Sequence, residues 1–253
     1  MNAVSPELLQ TIRELQLLKN LNGFSLGGGT NLAIRYNHRI SIDIDLFCPD
    51  IVGRVGFQKI IEDVKKFYGD RVFGYDFPCD IDDQYIFLRM FIKNNEAIIK
   101  VEVLQNFKVM DQPEIIDGLR LLTEKDIGLF KLVSLSERAS SKDVYDLEYL
   151  TDRLSVIDLY ELLKMKQEIY NKESDQTIFD LDKEESPVNN PELLLKFDSF
   201  PANKSRPKHT HDRIEILQGG KTWAQARAGW RRKVRQLYNY LEKKFPDITG
   251  VDL

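Results

Sequence analysis

The stretch from residue 24 to residue 47 constrains the possible fold more than any other part of the chain. Its sequence is FSLGGGTNLAIRYNHRISIDIDLF, so three consecutive glycines separate a short apolar run from a longer mixed segment. Glycine permits the dihedral angles of a sharp turn and lets other groups approach the backbone closely. The pattern predicts a strand end at Gly27, a tight turn and a helix that begins near Thr30.

The last third of this stretch alternates between apolar and polar residues. The apolar residues fall at every second position, namely Ile40, Ile42, Ile44 and Leu46. The polar residues fall between them, namely Ser41, Asp43 and Asp45. Successive side chains of a strand point to opposite faces, so residues 40–47 are predicted to form a strand with two carboxylates on one face. A glycine turn or an Asp-x-Asp pair alone is usually structural. Together they indicate a site for a triphosphate and a divalent metal, because helix N-termini bind anions and carboxylates bind Mg²⁺.

A known family has a similar arrangement. The matching residues are Gly28-Gly29-Thr30, Arg35-Tyr36 and Arg39-x-Ser41-x-Asp43-x-Asp45-Leu46-Phe47. They resemble the signature of the AbiEii/AbiGii-type toxin nucleotidyltransferases, a branch of the polymerase-β-type nucleotidyltransferase superfamily. Later motifs extend the resemblance to about residue 150, and beyond that point it is weak. The resemblance implies an enzyme that transfers a nucleotide from a nucleoside triphosphate, with Mg²⁺ or Mn²⁺ as cofactor.

A hairpin is predicted from a first strand over residues 85–92 and a second strand over residues 97–104, joined by a turn over residues 93–96. A third carboxylate is expected on the second strand. Lys100 and Glu102 share the polar face of this strand. By residue pattern alone this could be a solvated edge strand, whereas the resemblance implies that Glu102 joins Asp43 and Asp45 as a metal ligand. Three carboxylates that meet without a metal repel one another, so we expect at least one raised pKa among them.

The resemblance also implies which residues hold the nucleotide. Gly28, Gly29 and Thr30 would cradle the phosphates, and Arg39 and Ser41 are assigned to the same site. Two roles are open for the arginine, which would either contact a phosphate or pair with a carboxylate.

A helix is predicted over residues 127–136, because Thr123 is a suitable N-cap and the apolar residues recur at helical spacing. This helix carries Lys131. A lysine on a helix is usually solvated, but the resemblance implies that Lys131 reaches the triphosphate.

A second signature follows that helix. Arg138 and the run Lys142-Asp143-x-x-Asp146-Leu147 are similar to the later motif of the same family. The similarity implies that Asp143 is an active-site acid and that Arg138 or Lys142 contacts a phosphate. Asp146, three positions after Asp143, shares its helix face and is expected to hold the helix in place by hydrogen bonds.

The charge distribution changes towards the C-terminus. Residues 204–244 contain twelve Lys and Arg residues against three acids, in a chain whose net charge is −4. The last helix is predicted over residues 221–245, and its apolar stripe consists of Trp223, Ala226, Trp230, Val234, Leu237 and Leu241. Its opposite face carries Arg227, Arg231, Arg232 and Arg235. This arginine face is either a solvated surface or a surface that binds RNA phosphates.

These elements predict an α+β fold with two parts. Residues 1–112 would form the nucleotidyltransferase domain, with a small mixed β-sheet flanked by helices. Residues 113–253 would form a mostly helical domain that ends in the basic helix.

Composition narrows the compartment and the partners. Apolar residues make up 42% and charged residues 30%, which is typical of globular proteins. No apolar run approaches the ~20 residues that cross a bilayer, and the N-terminus does not resemble a signal peptide. Two cysteines and three histidines argue against a zinc site. We therefore expect a cytoplasmic protein with no membrane partner.

The expected partners follow from the resemblance. They are a nucleoside triphosphate, an RNA acceptor such as tRNA, and a cognate antitoxin of an abortive-infection or toxin–antitoxin system. Two alternatives remain at this point. One is a transferase that modifies a protein hydroxyl with the same chemistry, and the other is a non-catalytic nucleic-acid-binding module with this fold.

Overall fold

In the computed structural model, which describes residues 2–80, 82–181, 185–198 and 213–246, the β-sheet is built from the first half of the chain. Its strands are β1 (Ser25–Leu26), β2 (Ile44–Phe47), β3 (Val72–Asp76), β4 (Phe87–Asn94), β5 (Ala97–Leu104), β6 (Glu114–Ile116) and β7 (Leu119–Leu121). The α-helices in the same ranges are α1 (Pro6–Leu17), α2 (Gly28–Tyr36), α3 (Gly53–Tyr68), α4 (Glu124–Arg138), α5 (Ser141–Leu150), α6 (Val156–Ile169) and α7 (Trp223–Tyr240). The predicted α+β class is confirmed.

The sheet is mixed, and its strand order is β3-β4-β5-β2-β1-β7-β6. The pairs β2–β5 and β1–β7 are parallel. The other neighbours are antiparallel. The central position therefore belongs to β2, which carries Asp45 and begins directly after Asp43.

Side chains cap several helix starts, and the cap predicted at Thr123 is confirmed. Ser5 caps α1 and Thr123 caps α4, each by accepting a hydrogen bond from a backbone N–H three residues later. At α7 the side chains of Thr222 and Gln225 form a capping box. None of the described helices is long and apolar enough to cross a membrane.

The strand predicted over residues 40–47 is shorter than expected, because its first half is held by a distant segment. The N–H of Ile40 donates to the carbonyl of Glu215 at 2.9 Å, and only the second half pairs within the sheet as β2. Ile42, expected on the apolar face, is 61% exposed. Local alternation did not indicate this competition from the C-terminal half.

The hairpin also differs in its limits from the prediction. Its first strand, expected over residues 85–92, begins and ends two residues later as β4. Asn94 pairs with Ala97, so the turn consists of Asn95 and Glu96. Asn95 has a φ of 54°, a left-handed conformation that asparagine tolerates better than most residues.

The sheet continues past residue 112, where the first domain was predicted to end. β7 pairs in parallel with β1 through Leu26 and Leu121. The Gln16 side chain of α1 bonds to both backbone groups of Arg120, at 2.8 Å each. The division into residues 1–112 and 113–253 remains a prediction, and β6 and β7 contribute to the sheet from beyond that boundary.

Two apolar cores lie on opposite faces of β2. Ile44 and Leu46 belong to a core that includes side chains of α1 and α3. Phe47 belongs to a second core, built largely from side chains of α4, α5, α6 and α7. Asp43 and Asp45 share the face of Phe47, because strand side chains alternate. The carboxylates therefore lie where the sheet meets the helical half.

Four residues of the predicted α7 stripe are buried, namely Ala226, Trp230, Val234 and Leu237, whereas Trp223 and Leu241 are half-buried. Trp230 is the largest of the four, with 0% exposure. Its indole N–H donates to the carbonyl of Leu194 at 2.9 Å. We expect Trp230→Ala to lower the free energy of unfolding by about 3–5 kcal/mol, because it opens a cavity in the second core. Trp223→Ala, at a half-buried position of the same helix, is the matched control and should cost less. Urea titrations of both variants test this, and equal losses would contradict it.

Candidate active site

Two of the predicted carboxylates lie opposite each other on neighbouring strands. β2 and β5 are parallel, and Asp45 is the register partner of Glu102. Asp43 precedes Asp45 by two positions and lies towards solvent, with 33% side-chain exposure against 17% for Glu102. The three side chains thus share one region of the sheet, at its boundary with the helical half.

The glycine turn packs directly on the Asp45 carboxylate. α2 begins at Gly28, two residues earlier than the predicted start at Thr30. Gly28 has a φ of +60°, and a Cβ there would overlap an Asp45 carboxylate oxygen. The N–H of Gly27 donates to the Asp45 carbonyl at 2.9 Å. Only glycine allows this close approach, so the turn and the strand form one unit.

Thr30 and Ser41 connect the turn to the strand by buried hydrogen bonds. Their hydroxyl oxygens are 2.8 Å apart, and the Thr30 hydroxyl also donates to the Asp43 carbonyl. Both side chains are buried. Their observed contacts are with the strand, so their assignment to nucleotide binding remains a prediction.

The cluster formed by Asp43, Asp45 and Glu102 contains more negative than positive charge. Burial, followed by the charges of Glu102 and Asp43, raises the pKa of Asp45 to about 6, although Lys100 opposes the shift. A raised pKa means that the site disfavours another bare negative charge and favours a cation. Three carboxylates are a donor set that fits Mg²⁺ or Mn²⁺. Among the described residues, however, no three His, Cys, Asp or Glu side chains are already arranged to hold a metal.

Arg39 pairs with a carboxylate, the second of its two predicted roles. It makes a bidentate ion pair with Asp146, with Nε–Oδ1 and Nη2–Oδ2 distances of 2.7 Å. Both side chains are buried. A Cβ on Gly29 would overlap this guanidinium group, so the second glycine of the turn makes room for Arg39.

Asp146 is the centre of a buried network. Besides Arg39 it contacts Lys131 Nζ at 2.8 Å and His38 Nε2 at 2.8 Å. Burial alone would raise the pKa of Asp146, but Arg39, Lys131 and the hydrogen bonds from His38 and Arg39 hold it well below its usual range. The carboxylate therefore remains ionised and anchors the cations around it.

Asp143 shares Lys131 with Asp146 and also pairs with Arg138. Its oxygens contact Lys131 Nζ at 2.6 Å and the Arg138 guanidinium at 2.7 and 2.9 Å, and Ser134 donates to it at 3.0 Å. Burial opposes ionisation, yet Arg138 and Lys131 hold the pKa of Asp143 below its usual range. Asp143 is fully buried, whereas the Arg138 side chain is 54% exposed. Arg138 can thus present donors to a ligand while Asp143 orients it.

The remaining predicted site residues lie on α5 and α7. Lys142 lies half-buried in the first turn of α5. Arg227, Arg232 and Arg235 lie exposed on α7, and Arg231 is half-buried there. Their roles in nucleotide or RNA binding remain predictions.

Sequence reasoning missed His38 and Arg89. His38 is buried, stacks on Tyr145 at 5.7 Å between ring centroids, and has a pKa lowered by burial. Arg89 Nε donates to Glu102 Oε1 at 2.9 Å. No sequence signal marked His38, but the strand alternation that identified Glu102 could have identified its cross-strand neighbour Arg89 once the hairpin register was known.

Comparisons with known proteins agree with this geometry. The family model described as "Nucleotidyl transferase AbiEii toxin, Type IV TA system" matches residues 12–248. The match extends well beyond residue 150, where the sequence motifs had become weak. An uncharacterized protein of Aquifex aeolicus (strain VF5) is 31% identical over 170 residues, which cover 67% of this chain and 77% of the relative.

A solved structure shares the fold. MenT4, a nucleotidyltransferase toxin from Mycobacterium tuberculosis H37Rv, aligns with a TM-score of 0.50 at 18% identity. The alignment covers 95% of this chain and 85% of MenT4.

Proposed function

The chain belongs to the AbiEii nucleotidyltransferase toxin family, and we propose that it transfers a nucleotide from a nucleoside triphosphate to an RNA acceptor with the help of Mg²⁺ or Mn²⁺. One observation carries the proposal. The α2 N-terminus at Gly28 packs against Asp45, which lies opposite Glu102 on the neighbouring strand. A helix N-terminus, which favours anions, is therefore adjacent to carboxylates, which favour cations, and this combination would suit a metal-bound triphosphate.

The first part of the mechanism is phosphate binding. The first N–H groups of a helix lack intrahelical partners and lie at the positive end of its dipole. Gly28, Gly29 and Thr30 supply these groups beside the carboxylates. We assign the β and γ phosphates of the nucleotide to this turn.

The cofactor would be held by Asp43, Asp45 and Glu102. A divalent ion bound there would offset phosphate charge and stabilise the attacking and leaving oxygens of an in-line displacement. Asp45 and Glu102 are register partners in the β2–β5 pairing, so both would offer oxygen ligands to the same ion from adjacent strands.

The buried network supplies positive charge on the other side of the turn. Arg39, Lys131 and Arg138 face two carboxylates, Asp143 and Asp146. Burial lowers the pKa of His38 and favours its neutral form, so the network carries one net positive charge. Because Arg138 is also half-exposed, we assign it a direct contact with the polyphosphate, oriented by Asp143.

The test is a transfer assay with purified protein, Mg²⁺, each labelled nucleoside triphosphate in turn, and total RNA. We expect label that ribonuclease removes and protease does not. Label on a protein would contradict the RNA acceptor and support the transferase that modifies a protein hydroxyl. No label on either acceptor would contradict nucleotide transfer under these conditions. A cognate antitoxin, the partner that the family description suggests, should suppress the RNA label.

The arginines of α7 are proposed to hold the RNA acceptor. Arg232 and Arg235 are exposed, and Arg235 lies over the Phe245 ring at 4.6 Å. If they bind phosphates, the double substitution Arg232→Glu and Arg235→Glu should weaken RNA binding equally across sequences. It should also reduce the slope of log affinity against log salt by about 1–2.

A control must show that any loss of RNA binding depends on where the charges lie and not only on the change in net charge. The control is Lys65→Glu with Lys66→Glu, the same charge reversal on two exposed positions of α3. RNA titrations at two salt concentrations compare both variants with the wild type. An unchanged slope in the α7 variant, or an equal change in the α3 variant, would exclude this helix from specific RNA contact.

A further inference from the structure

A lysine ammonium group lies among the three candidate metal ligands. Lys100 precedes Glu102 by two positions on β5 and therefore shares its face. Its Nζ is 3.2 Å from Glu102 Oε2 and 3.8 Å from Asp43 Oδ2. It also interacts electrostatically with Asp45. One cation thus contacts or faces every carboxylate that would bind the metal.

Glu102 has a second cationic partner, Arg89, which is held more rigidly than Lys100. Arg89, its register partner on β4, donates from Nε to Glu102 Oε1 at 2.9 Å. The Arg89 guanidinium lies 5.5 Å from the Phe87 ring and 4.0 Å from Asp76, so it is fixed from several sides. Lys100 is about as exposed as Arg89, at 29% against 34%, but it has a flexible four-carbon chain that ends in a compact ammonium group and no aromatic contact within the described part of the chain. Lys100 is therefore the partner that can leave.

We propose that Lys100 is an internal counter-ion of this site: its ammonium group neutralises the carboxylates when no divalent ion is bound, and it must move away when one binds. The inference rests on the proposed metal-dependent function. An ammonium hydrogen-bonded to Glu102 and close to Asp43 overlaps the region that a metal bridging these carboxylates would take. Two cations so close in a partly buried site repel strongly.

The arrangement has a consequence for nucleotide binding. Lys100 weakens the binding of a bare divalent ion, whereas a triphosphate brings negative charge that can accept the released ammonium group. Metal loading is thereby coupled to nucleotide loading. The free enzyme stays metal-poor at concentrations where the nucleotide complex is saturated.

The experiment measures Mn²⁺ binding by calorimetry, without nucleotide, for the wild type and for Lys100→Met. We expect the variant to bind Mn²⁺ at least ~10-fold more tightly, because a competing positive charge is gone. Lys100→Arg should retain weak binding. The matched control is Lys93→Met, an exposed lysine at the far end of the same hairpin, which should not change the affinity.

A second readout is thermal unfolding in EDTA and in Mn²⁺. Lys100→Met should unfold at a lower temperature than the wild type in EDTA, because its carboxylates have lost a counter-ion, and Mn²⁺ should remove the difference. Lys100→Gln repeats both measurements if the methionine variant does not fold.

The possible outcomes distinguish a failure of the counter-ion role from a failure of the proposed metal-dependent function. Equal Mn²⁺ affinities for the wild type and Lys100→Met would overturn the counter-ion role and leave the metal mechanism standing. Tight binding that survives Asp45→Asn in the Lys100→Met background would place the ion elsewhere and overturn the inference. Absence of Mn²⁺ binding in every variant, with and without nucleotide, would overturn both.

Discussion

Asp45→Asn is expected to reduce nucleotide transfer by about 10²–10⁴-fold, the effect of losing several kcal/mol of transition-state stabilisation. The substitution removes the charge and keeps nearly the same volume, so the contact with the Gly28 turn is preserved. Asp43→Asn should have an effect of the same order. Single-turnover assays with the preferred triphosphate measure it, and wild-type turnover in both variants would contradict the metal mechanism.

The stability of Asp45→Asn is the control for its activity, because the substitution is expected to raise the free energy of unfolding while it lowers nucleotide transfer. The folded-state pKa of Asp45 is raised to about 6, so folding favours its protonated form. The ionised carboxylate therefore destabilises the metal-free protein as the pH rises through the range between the unfolded value of about 4 and the folded value. We expect Asp45→Asn in EDTA to be more stable than the wild type at pH 8 and equally stable near pH 4. A variant that is both inactive and less stable at pH 8 would indicate a folding defect instead.

Local patterns in the sequence were sufficient to predict the helices and strands of the site, but not the contacts between them. Alternation identified β5 at its observed limits, because β4 pairs with it along its whole length and β2 pairs with its second half. Alternation failed at Ile42, where the backbone of the preceding residues bonds to the chain near Glu215. The start of α2 at Gly28 follows from close contact with Asp45, and the glycine pattern implied a turn without specifying that partner.

The buried network could not be predicted from the residues alone. Arg39 and Asp146 are 107 positions apart, and each is ordinary in its local context. The family resemblance left two roles open for Arg39, and the structure shows an ion pair that joins the segment after α2 to Asp146 of α5. Lys131 is the inverse case: helical lysines are usually solvated, but here two buried carboxylates offset the cost of burying its charge.

That network leads to a large expected effect on stability, at Asp146. Asp146→Asn removes the carboxylate that pairs with Arg39 through Nε and Nη2, and it leaves Arg39 and Lys131 buried near a neutral side chain. Removing one partner of a buried ion pair typically costs about 3–5 kcal/mol, because the remaining charge has lost its solvent and gained no partner. The control is Asp152→Asn, whose side chain is 47% exposed beside Lys221 and Lys233 and should cost about 1 kcal/mol or less.

The pH dependence and a double variant identify the cause of that loss. The pKa of Asp146 is held well below its usual range, so its contribution is fully present above the unfolded value of about 4 and is lost as the pH falls through the folded value. The difference between the wild type and Asp146→Asn should be constant from pH 7 to about pH 5 and narrow below pH 4. Arg39→Met combined with Asp146→Asn should cost less than the sum of the single changes, by about 1–3 kcal/mol, because the second change removes a charge that the first had left unpaired. Urea titrations of the four proteins measure this coupling. Additive costs would show that the two residues contribute separately, and the anchoring of the glycine turn by Arg39 would then need another explanation.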